Sequence, residues 1–271
     1  MRRRGPGKPG ASEEVPFFSH AAYKIELDTA RLVRRLQGFS PPGAQDPLPD
    51  LLALPTAERW ARLATDPQLL YLDVAQGLLE RAQAALGRDL AEAAELAQLA
   101  LALRFRLPPA VPEFLLADLE AQISLAQAEI ALAAGESDRV ELACDRAQLL
   151  LQHGSADPQL LARLAELALL RRAAEGDLTQ ALLHALRIRS LGRQLGQSVL
   201  EAEGWIWAHL LFLGAQRHEA AEEAWTLASS FLVAQGRELR RRELKARLRQ
   251  ALAGARKAKP GREGGGSLAP T

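Results

Sequence analysis

The chain is poor in the residues that build sheets, disulfides and metal clusters. Its 271 residues include one Cys, one Met, two Tyr and no Asn, and aromatic residues make up 5% of the total. Because aromatic and β-branched side chains favour strands, their scarcity excludes a fold rich in β-structure. The single Cys excludes a disulfide framework and a zinc site built on several thiolates, and it is typical of a reducing compartment.

Long apolar runs are also missing from the sequence. No uninterrupted run reaches the roughly 18 residues that a bilayer span requires. The Arg-rich start is followed by Gly and Pro rather than by the apolar core of a signal peptide. We therefore expect no transmembrane segment and a cytoplasmic location.

The residue sets that carry most enzyme chemistry are absent as well. Segment 218–222 (HEAAE) resembles a zincin helix, but Glu222 stands where the second histidine would have to lie. No glycine-rich loop followed by Lys and Ser or Thr is present to hold phosphates. Cys144 lies in an apolar helical run and is expected to be a buried structural thiol. The sequence predicts a protein that is not an enzyme, with no catalytic residues, no cofactor and no metal.

Leu and Ala dominate what is present. Together they supply about 38% of the chain, and they recur at helical spacing. Residues suited to helix capping precede these apolar stretches, and Gly or Pro follows them. The signals predict helices over 19–37, 66–87, 89–105, 112–134, 138–153, 158–175, 177–195, 197–213 and 217–235. The predicted fold class is all-α.

Charge and composition divide the chain into five segments. The formal net charge is +1, but the ends carry an excess of about two and about eight positive charges, which leaves about nine negative charges on the centre. Gly and Pro dominate both extremities. We predict a disordered basic tail (1–16), an N-terminal helix with a Pro-rich linker (17–54), a helical repeat domain (55–236), a basic amphipathic helix (237–259) and a disordered tail (260–271).

A short motif recurs within the helical domain. Segment 89–93 (DLAEA) matches 177–181 (DLTQA), with looser copies at 140–143 and 218–221. Each copy follows a glycine: Gly87, Gly135, Gly176 or Gly214. A glycine that permits a tight reversal, followed by an alanine that permits close helix approach, indicates a repeated helical hairpin. Such hairpins stack, because none can cover its own apolar face.

Residues 66–236 resemble the tetratricopeptide-repeat (TPR) family, in which helices A and B alternate and successive pairs form a superhelix. The last unit carries the likeness best, since five of its residues stand in the order of that family's packing positions: Trp205, Phe212, Ala221, Trp225 and Ala228. The resemblance implies an α-solenoid of stacked antiparallel helix pairs with a C-terminal basic capping helix. An ordinary helical bundle and a solenoid of longer helix pairs are the alternative folds.

The TPR-like array implies a non-enzymatic protein-protein interaction scaffold or adaptor that binds a partner segment on the concave face of its A helices. The residues expected on or near that face are Arg163, Glu166, Leu170, Glu203, Trp207 and Leu210. Trp207 either packs into the next helical layer or anchors a bound peptide. Because the chain has no Asn, the family's Asn-based carboxylate clamp is not implied. We expect an amphipathic or extended segment as the partner.

The basic helix 237–259 is the second candidate binding region. Three leucines recur at every fourth residue and predict an apolar face: Leu244, Leu248 and Leu252. Four arginines are expected on the other face: Arg240, Arg241, Arg247 and Arg249. Three roles are open to the helix, namely capping the last repeat, contacting nucleic acid or anionic membrane, and docking onto the acidic body. The alternative function is therefore a nucleic-acid-associated regulator that uses its basic terminal segments.

Overall fold

The part of the chain that the structure describes is all-α, as the sequence predicts. The computed structural model describes residues 46–109 and 111–258, which form eleven α-helices and one 3₁₀ turn and contain no strand. The predicted helix 19–37 and both predicted tails lie outside the described residues. The helices are α1 (Leu48–Leu52), α2 (Thr56–Thr65), α3 (Leu72–Ala85), α4 (Leu90–Arg104), α5 (Glu113–Ala134), α6 (Ser137–Leu151), α7 (Pro158–Glu175), α8 (Leu178–Gln194), α9 (Ser198–Gly214), α10 (His218–Ser229) and α11 (Ala234–Ala258); the 3₁₀ turn spans Pro67–Leu69.

Aspartates begin three of the helices. The carboxylates of Asp89, Asp157 and Asp177 accept hydrogen bonds of 2.9–3.0 Å from backbone N–H groups in the first turns of α4, α7 and α8. These N–H groups have no partner within their own helix, so each carboxylate stabilises a helix start. The capping signals in the sequence therefore mark these three boundaries correctly.

Two of the four glycines expected to permit a reversal adopt the left-handed conformation. Gly135 and Gly176 end α5 and α7 with φ of 82° and 89°, a region that strains other residues. Gly87 and Gly214 do not have positive φ, and after α9 the left-handed residue is Gln216, with φ of 58°. The glycine signal thus locates the reversals but does not always identify the residue that makes them.

Two predicted helices are shorter than expected. In the stretch 66–87, Asp66 caps only the 3₁₀ turn, because the backbone is extended at Tyr71 before α3 begins. The bend lets both Leu69 and Leu72 reach the core.

The helix predicted over 217–235 ends at Ser229, where the chain turns, and α11 begins at Ala234 after four intervening residues. Two other helices, α1 and α2, were not predicted. They lie in the Pro-rich stretch and at its C-terminal side.

Consecutive helices pack against each other along the chain. Close pairs are formed by α3 with α4, α5 with α6, α7 with α8, and α9 with α10, and α8 also packs on α9. Three alanines of the recurring motif are completely buried: Ala93, Ala181 and Ala221. Glycines bring α8 and α9 together, because a Cβ on Gly192 or Gly204 would lie 2.3 or 2.5 Å from a backbone nitrogen of the neighbouring helix.

Three clusters of buried apolar side chains extend through the helices. The first joins α1 to α5 and is mostly leucine, the second joins α5, α6 and α7, and the third joins α7 to α11. The last helix, α11, packs against α5, α7 and α9 as well as α10. It therefore crosses helices from several pairs and is not confined to the end of the last pair.

Candidate binding cleft

A cleft of about 670 Å³ is lined by α11 and by α3, α5, α7 and α9. We call α3, α5, α7 and α9 the inner helices. Its charged lining consists of three glutamates and three arginines: Glu129, Arg163, Glu166, Glu203, Arg240 and Arg247. Its positive and negative charges are therefore in balance, and apolar side chains such as Val199 and Leu200 also line the cleft.

Three of the inner helices each supply one glutamate to the cleft. Glu129 on α5, Glu166 on α7 and Glu203 on α9 follow one another at intervals of 37 residues. A constant interval places side chains at equivalent points of successive helix pairs. We call these three residues the acidic row. Glu129 and Glu166 are buried and Glu203 is half-buried.

Arg163 of α7 holds the first member of the acidic row. Its Nε donates to Oε1 of Glu129 at 2.9 Å, and its Nη2 donates to Oε2 at 2.7 Å. When the amide of Gln83, on α3, is oriented with its oxygen toward Arg163, that oxygen accepts from Nη1 of Arg163 at 2.9 Å. Bidentate guanidinium–carboxylate pairs are among the stronger polar contacts in proteins. Arg163 therefore ties α3, α5 and α7 together at the floor of the cleft.

Two arginines of α11 engage the acidic row. Nη1 of Arg247 lies 2.8 Å from Oε2 of Glu166, and its Nη2 lies 3.3 Å from Oε1 of Glu129. Nε of Arg240 lies 2.9 Å from Oε1 of Glu203. The basic helix is thus paired with all three glutamates. Of the three roles that the sequence left open, docking onto the acidic body is the one seen in these contacts.

Apolar and aromatic contacts complete the interface of α11. Leu244 and Ala251 are completely buried within the third cluster. At the start of the helix, the guanidinium groups of Arg237 and Arg241 lie 4.4 and 5.1 Å from the ring centre of Trp225 on α10. Cations over an indole face are attracted by its quadrupole. The helix is therefore held by a short apolar stripe flanked by cations.

Glu166 is a cleft residue whose negatively charged form is disfavoured by its surroundings. Burial raises the pKa of Glu166 to about 7, against the attraction of Arg247, and the nearby Glu129 raises it further. Its Oε1 is buried and has no hydrogen-bond partner among the described residues. A buried carboxylate with a vacant acceptor favours a cationic or donor-bearing neighbour.

The structure brings four of the six predicted inner-face residues to the cleft: Arg163, Glu166, Glu203 and Trp207. Leu170 and Leu210 lie in the core instead, with 2% and 6% of their surface exposed. Trp207 is 1% exposed, so it packs in the core and is not a free anchor for a peptide. Trp205, expected at the packing position, is only half-buried beneath the guanidinium of Arg189 at 4.8 Å.

Glu129 and Gln83 are among the cleft residues that sequence reasoning missed. The 37-residue interval that links Glu129 to Glu166 and Glu203 is visible in the sequence and could have revealed the first. Nothing comparable marks Gln83, which reaches the cleft through the packing of α3 on α5.

The predicted separation of arginines from leucines on the basic helix is wrong for Arg240 and Arg247. Arg240, Leu244, Arg247 and Ala251 share the inner face, since intervals of four, three and four residues keep side chains on one side of an α-helix. Arg241 lies over Trp225, and only Arg249 of the four predicted phosphate contacts is exposed.

These positions weaken the nucleic-acid alternative. The acidic row already neutralises Arg240 and Arg247, and a phosphate approaching them would meet the carboxylates of the row. Among the exposed cations of α11 are Arg242, Lys245 and Arg249.

A second cleft, of about 170 Å³, brings Cys144 of α6 near His184 of α8 among several arginines. Burial raises the pKa of Cys144 to about 11 and lowers the pKa of His184. A thiol whose pKa is raised in this way is mostly protonated near neutral pH.

Among the described residues, no group of three or more His, Cys, Asp or Glu could hold a metal ion. None of the described helices combines the length and apolarity that a bilayer crossing requires.

Comparisons with known proteins give no family assignment. The chain matches no protein-family model, no curated protein and no solved structure. The contacts of the cleft are therefore the main evidence about function.

Proposed function

We propose that this chain is a non-catalytic scaffold or adaptor that holds a segment of another protein in its cleft. The observation that carries the proposal is that the inner helices already hold a helix, α11, through ion pairs to the acidic row and through the buried Leu244. An amphipathic helix in an apolar groove is a common mode of protein recognition. A surface that seats one such helix has the chemistry to seat another.

The proposal includes a TPR-like α-solenoid. It is supported by the four close helix pairs, by the buried alanines of the recurring motif and by an acidic row with one member per pair from α5 to α9. Helix-pair repeats are about 34–47 residues long, and the 37-residue interval of the row lies in that range. In such an array the inner helices form one continuous face, which is the surface these proteins use for binding.

The rim of the cleft offers an accessible position from which to test this proposal. Val199 lines the cleft and is 51% exposed, whereas Leu183 on α8 is 53% exposed and does not line it. A photo-reactive amino acid placed at either position has similar access to solvent. Only the one at position 199 is next to the proposed binding surface.

The test is cross-linking in cells with the full chain carrying the photo-reactive residue at position 199 or 183, followed by peptide mapping. We expect the photo-reactive residue at position 199 to cross-link repeatedly to one segment of another protein. The photo-reactive residue at position 183 should not cross-link to that segment. Adding Glu203→Arg should remove that cross-link. Cross-links at 199 that reach only this chain, or the same foreign segments at both positions, would overturn the proposal.

A further inference from the structure

We infer that the partner segment is an arginine-bearing amphipathic helix that takes the place of α11, which makes α11 an internal competitor for the cleft. This inference rests on the proposed function and adds the chemistry of the partner to it. The contacts that α11 makes describe what the inner helices recognise: two arginines seven residues apart, with a leucine between them and a small apolar residue beyond.

The two arginines reach two different inner helices. Arg240 pairs with Glu203 on α9, and Arg247 pairs with Glu166 on α7. Seven residues are about two turns of an α-helix, or about 10.5 Å along its axis. Two arginines that lie two turns apart on one side of α11 therefore contact both helices at once.

Arginine suits this site better than other residues. Arg247 contacts carboxylates on two different helices, Glu166 and Glu129, which the planar guanidinium with its several donors can do at once. An uncharged helix would leave buried Glu166 without its close cation, whereas Glu129 would keep its contacts with Arg163. An acidic helix or a nucleic acid would add repulsion.

The docked helix α11 does not fill the cleft. The 670 Å³ cleft remains beside Arg240 and Arg247 although α11 is docked, and Glu166 keeps a buried oxygen without a hydrogen-bond partner among the described residues. A helix with the same arginine spacing and larger neighbouring side chains could fill this space and supply that hydrogen bond. Both features favour exchange of α11 for a better-fitting helix.

The short connection from α10 sets how strongly α11 competes. Only residues 230–233 separate the two helices, so α11 is presented to the inner helices at an effective concentration on the order of millimolar. A free helix must therefore exceed the affinity of α11 by a wide margin, or act after α11 has been weakened. We expect the unmodified chain to bind such helices weakly.

The experiment uses the full chain and a fluorescent synthetic peptide with the sequence of residues 237–258. Binding is measured by fluorescence anisotropy for the unmodified chain, for the variant R240E/R247E and for the control R242E/R249E. The control makes the same charge changes on the exposed side of α11. We expect R240E/R247E to bind the peptide at least about tenfold tighter than the unmodified chain, because its own helix no longer competes. The control should bind like the unmodified chain.

A second peptide tests the arginine requirement. A peptide of residues 237–258 that carries R240E and R247E should not bind to the R240E/R247E chain. Equal binding of the two peptides, or no gain in affinity for the R240E/R247E chain, would overturn the inference.

Hydrogen–deuterium exchange of the unmodified chain gives a measurement that does not depend on how the variants fold. Unlabelled peptide in millimolar excess should speed exchange in α11 severalfold and leave α4 unchanged. Unchanged exchange in α11 would contradict displacement.

The cross-linking test separates the two proposals. If position 199 reaches a foreign segment that is acidic or not helical, the scaffold function stands and the arginine-helix partner is wrong. If the peptide binds but position 199 reaches no foreign segment, the scaffold function is wrong and α11 only closes its own cleft.

Discussion

The core shared by α3, α4 and α5 and the interface beneath α11 differ in what holds them together. In the first, leucines with at most 1% exposure fill the space between helices: Leu72, Leu78, Leu96, Leu99, Leu103 and Leu119. In the second, Leu244 and Ala251 are the fully buried side chains among those of α11 that the structure describes, and much of the contact is made by arginines on the acidic row. One region excludes water, whereas the other neutralises charge.

This difference indicates which contacts are permanent and which are conditional. Burial of apolar surface contributes about 25 cal/mol per Å² and depends little on salt or pH. Buried ion pairs gain Coulomb energy but lose hydration, so their net contribution is small and depends on conditions. We therefore expect the helix pairs to persist under conditions that release α11.

The largest expected effect is in the leucine core. Leu99→Ala should lower the free energy of unfolding by about 2–5 kcal/mol, because a fully buried side chain leaves a cavity. Leu239→Ala, on α11 with 61% exposure, should change it by less than about 0.5 kcal/mol. Urea unfolding followed by circular dichroism measures both. Similar losses for the two variants would contradict the division into a packed region and a loosely held one.

The next effect concerns Glu166 and pH. Its pKa is raised in the folded chain, so folding favours its protonated form, and the stability this confers is present at low pH and is lost as pH rises toward and through about 7. Glu166→Gln removes this dependence. The stability of the variant relative to the unmodified chain should therefore increase from pH 5 to pH 8, by up to about 3 kcal/mol at roughly 1.4 kcal/mol per pKa unit.

Urea titrations at several pH values measure this difference, with exposed Glu80→Gln as the control. The control should follow the unmodified chain throughout. A difference between E166Q and the unmodified chain that stays constant or shrinks as pH rises would show that Glu166 is not penalised by burial.

Gly204 tests how closely α8 and α9, which belong to successive helix pairs, must approach each other. A Cβ at this position would lie 2.5–2.7 Å from backbone atoms of Arg189, so Gly204→Ala should destabilise the chain by about 1–3 kcal/mol despite the higher helix propensity of Ala. Gly87→Ala meets nothing within 4 Å and should be close to neutral. Thermal unfolding of the two variants distinguishes them. Equal midpoints would mean that α8 and α9 can separate without cost.

The smallest effect is the response to salt. Raising NaCl from 0.05 to 1 M should speed hydrogen–deuterium exchange in α11 by a factor of about 3 to 10, because it screens the pairs of Arg240 and Arg247, whose side chains are about one-third exposed. Exchange in α4 should not change. Equal responses of the two helices would show that the interface of α11 is as apolar as the core.

Much of the fold follows from local pattern. Aspartate caps, glycine ends and leucine periodicity locate most of the helices, because each signal acts within a few residues of where it stands. Where a helix is interrupted, as before α3 or after α10, the prediction is wrong. The position of these breaks is set by which side chains must reach the core, and Leu69 and Leu72 both do so.

The candidate site is predictable only in part. Helical periodicity placed Arg163, Glu166 and Glu203 toward the cleft, because residues at matching points of similar helices share a face. It did not distinguish Trp205 from Trp207, since adjacent residues on a helix point about 100° apart and the packing of the next helix selects between them.

The amino-acid order alone determined an all-α chain, the start of most of its helices and a basic final segment with an apolar stripe. Only the tertiary structure decided that this segment turns back across the inner helices and pairs Arg247 with Glu129, 118 residues earlier in the chain. The physical reason is range: capping and periodicity act between near neighbours, whereas the partner of a charged side chain depends on which distant surfaces packing brings together.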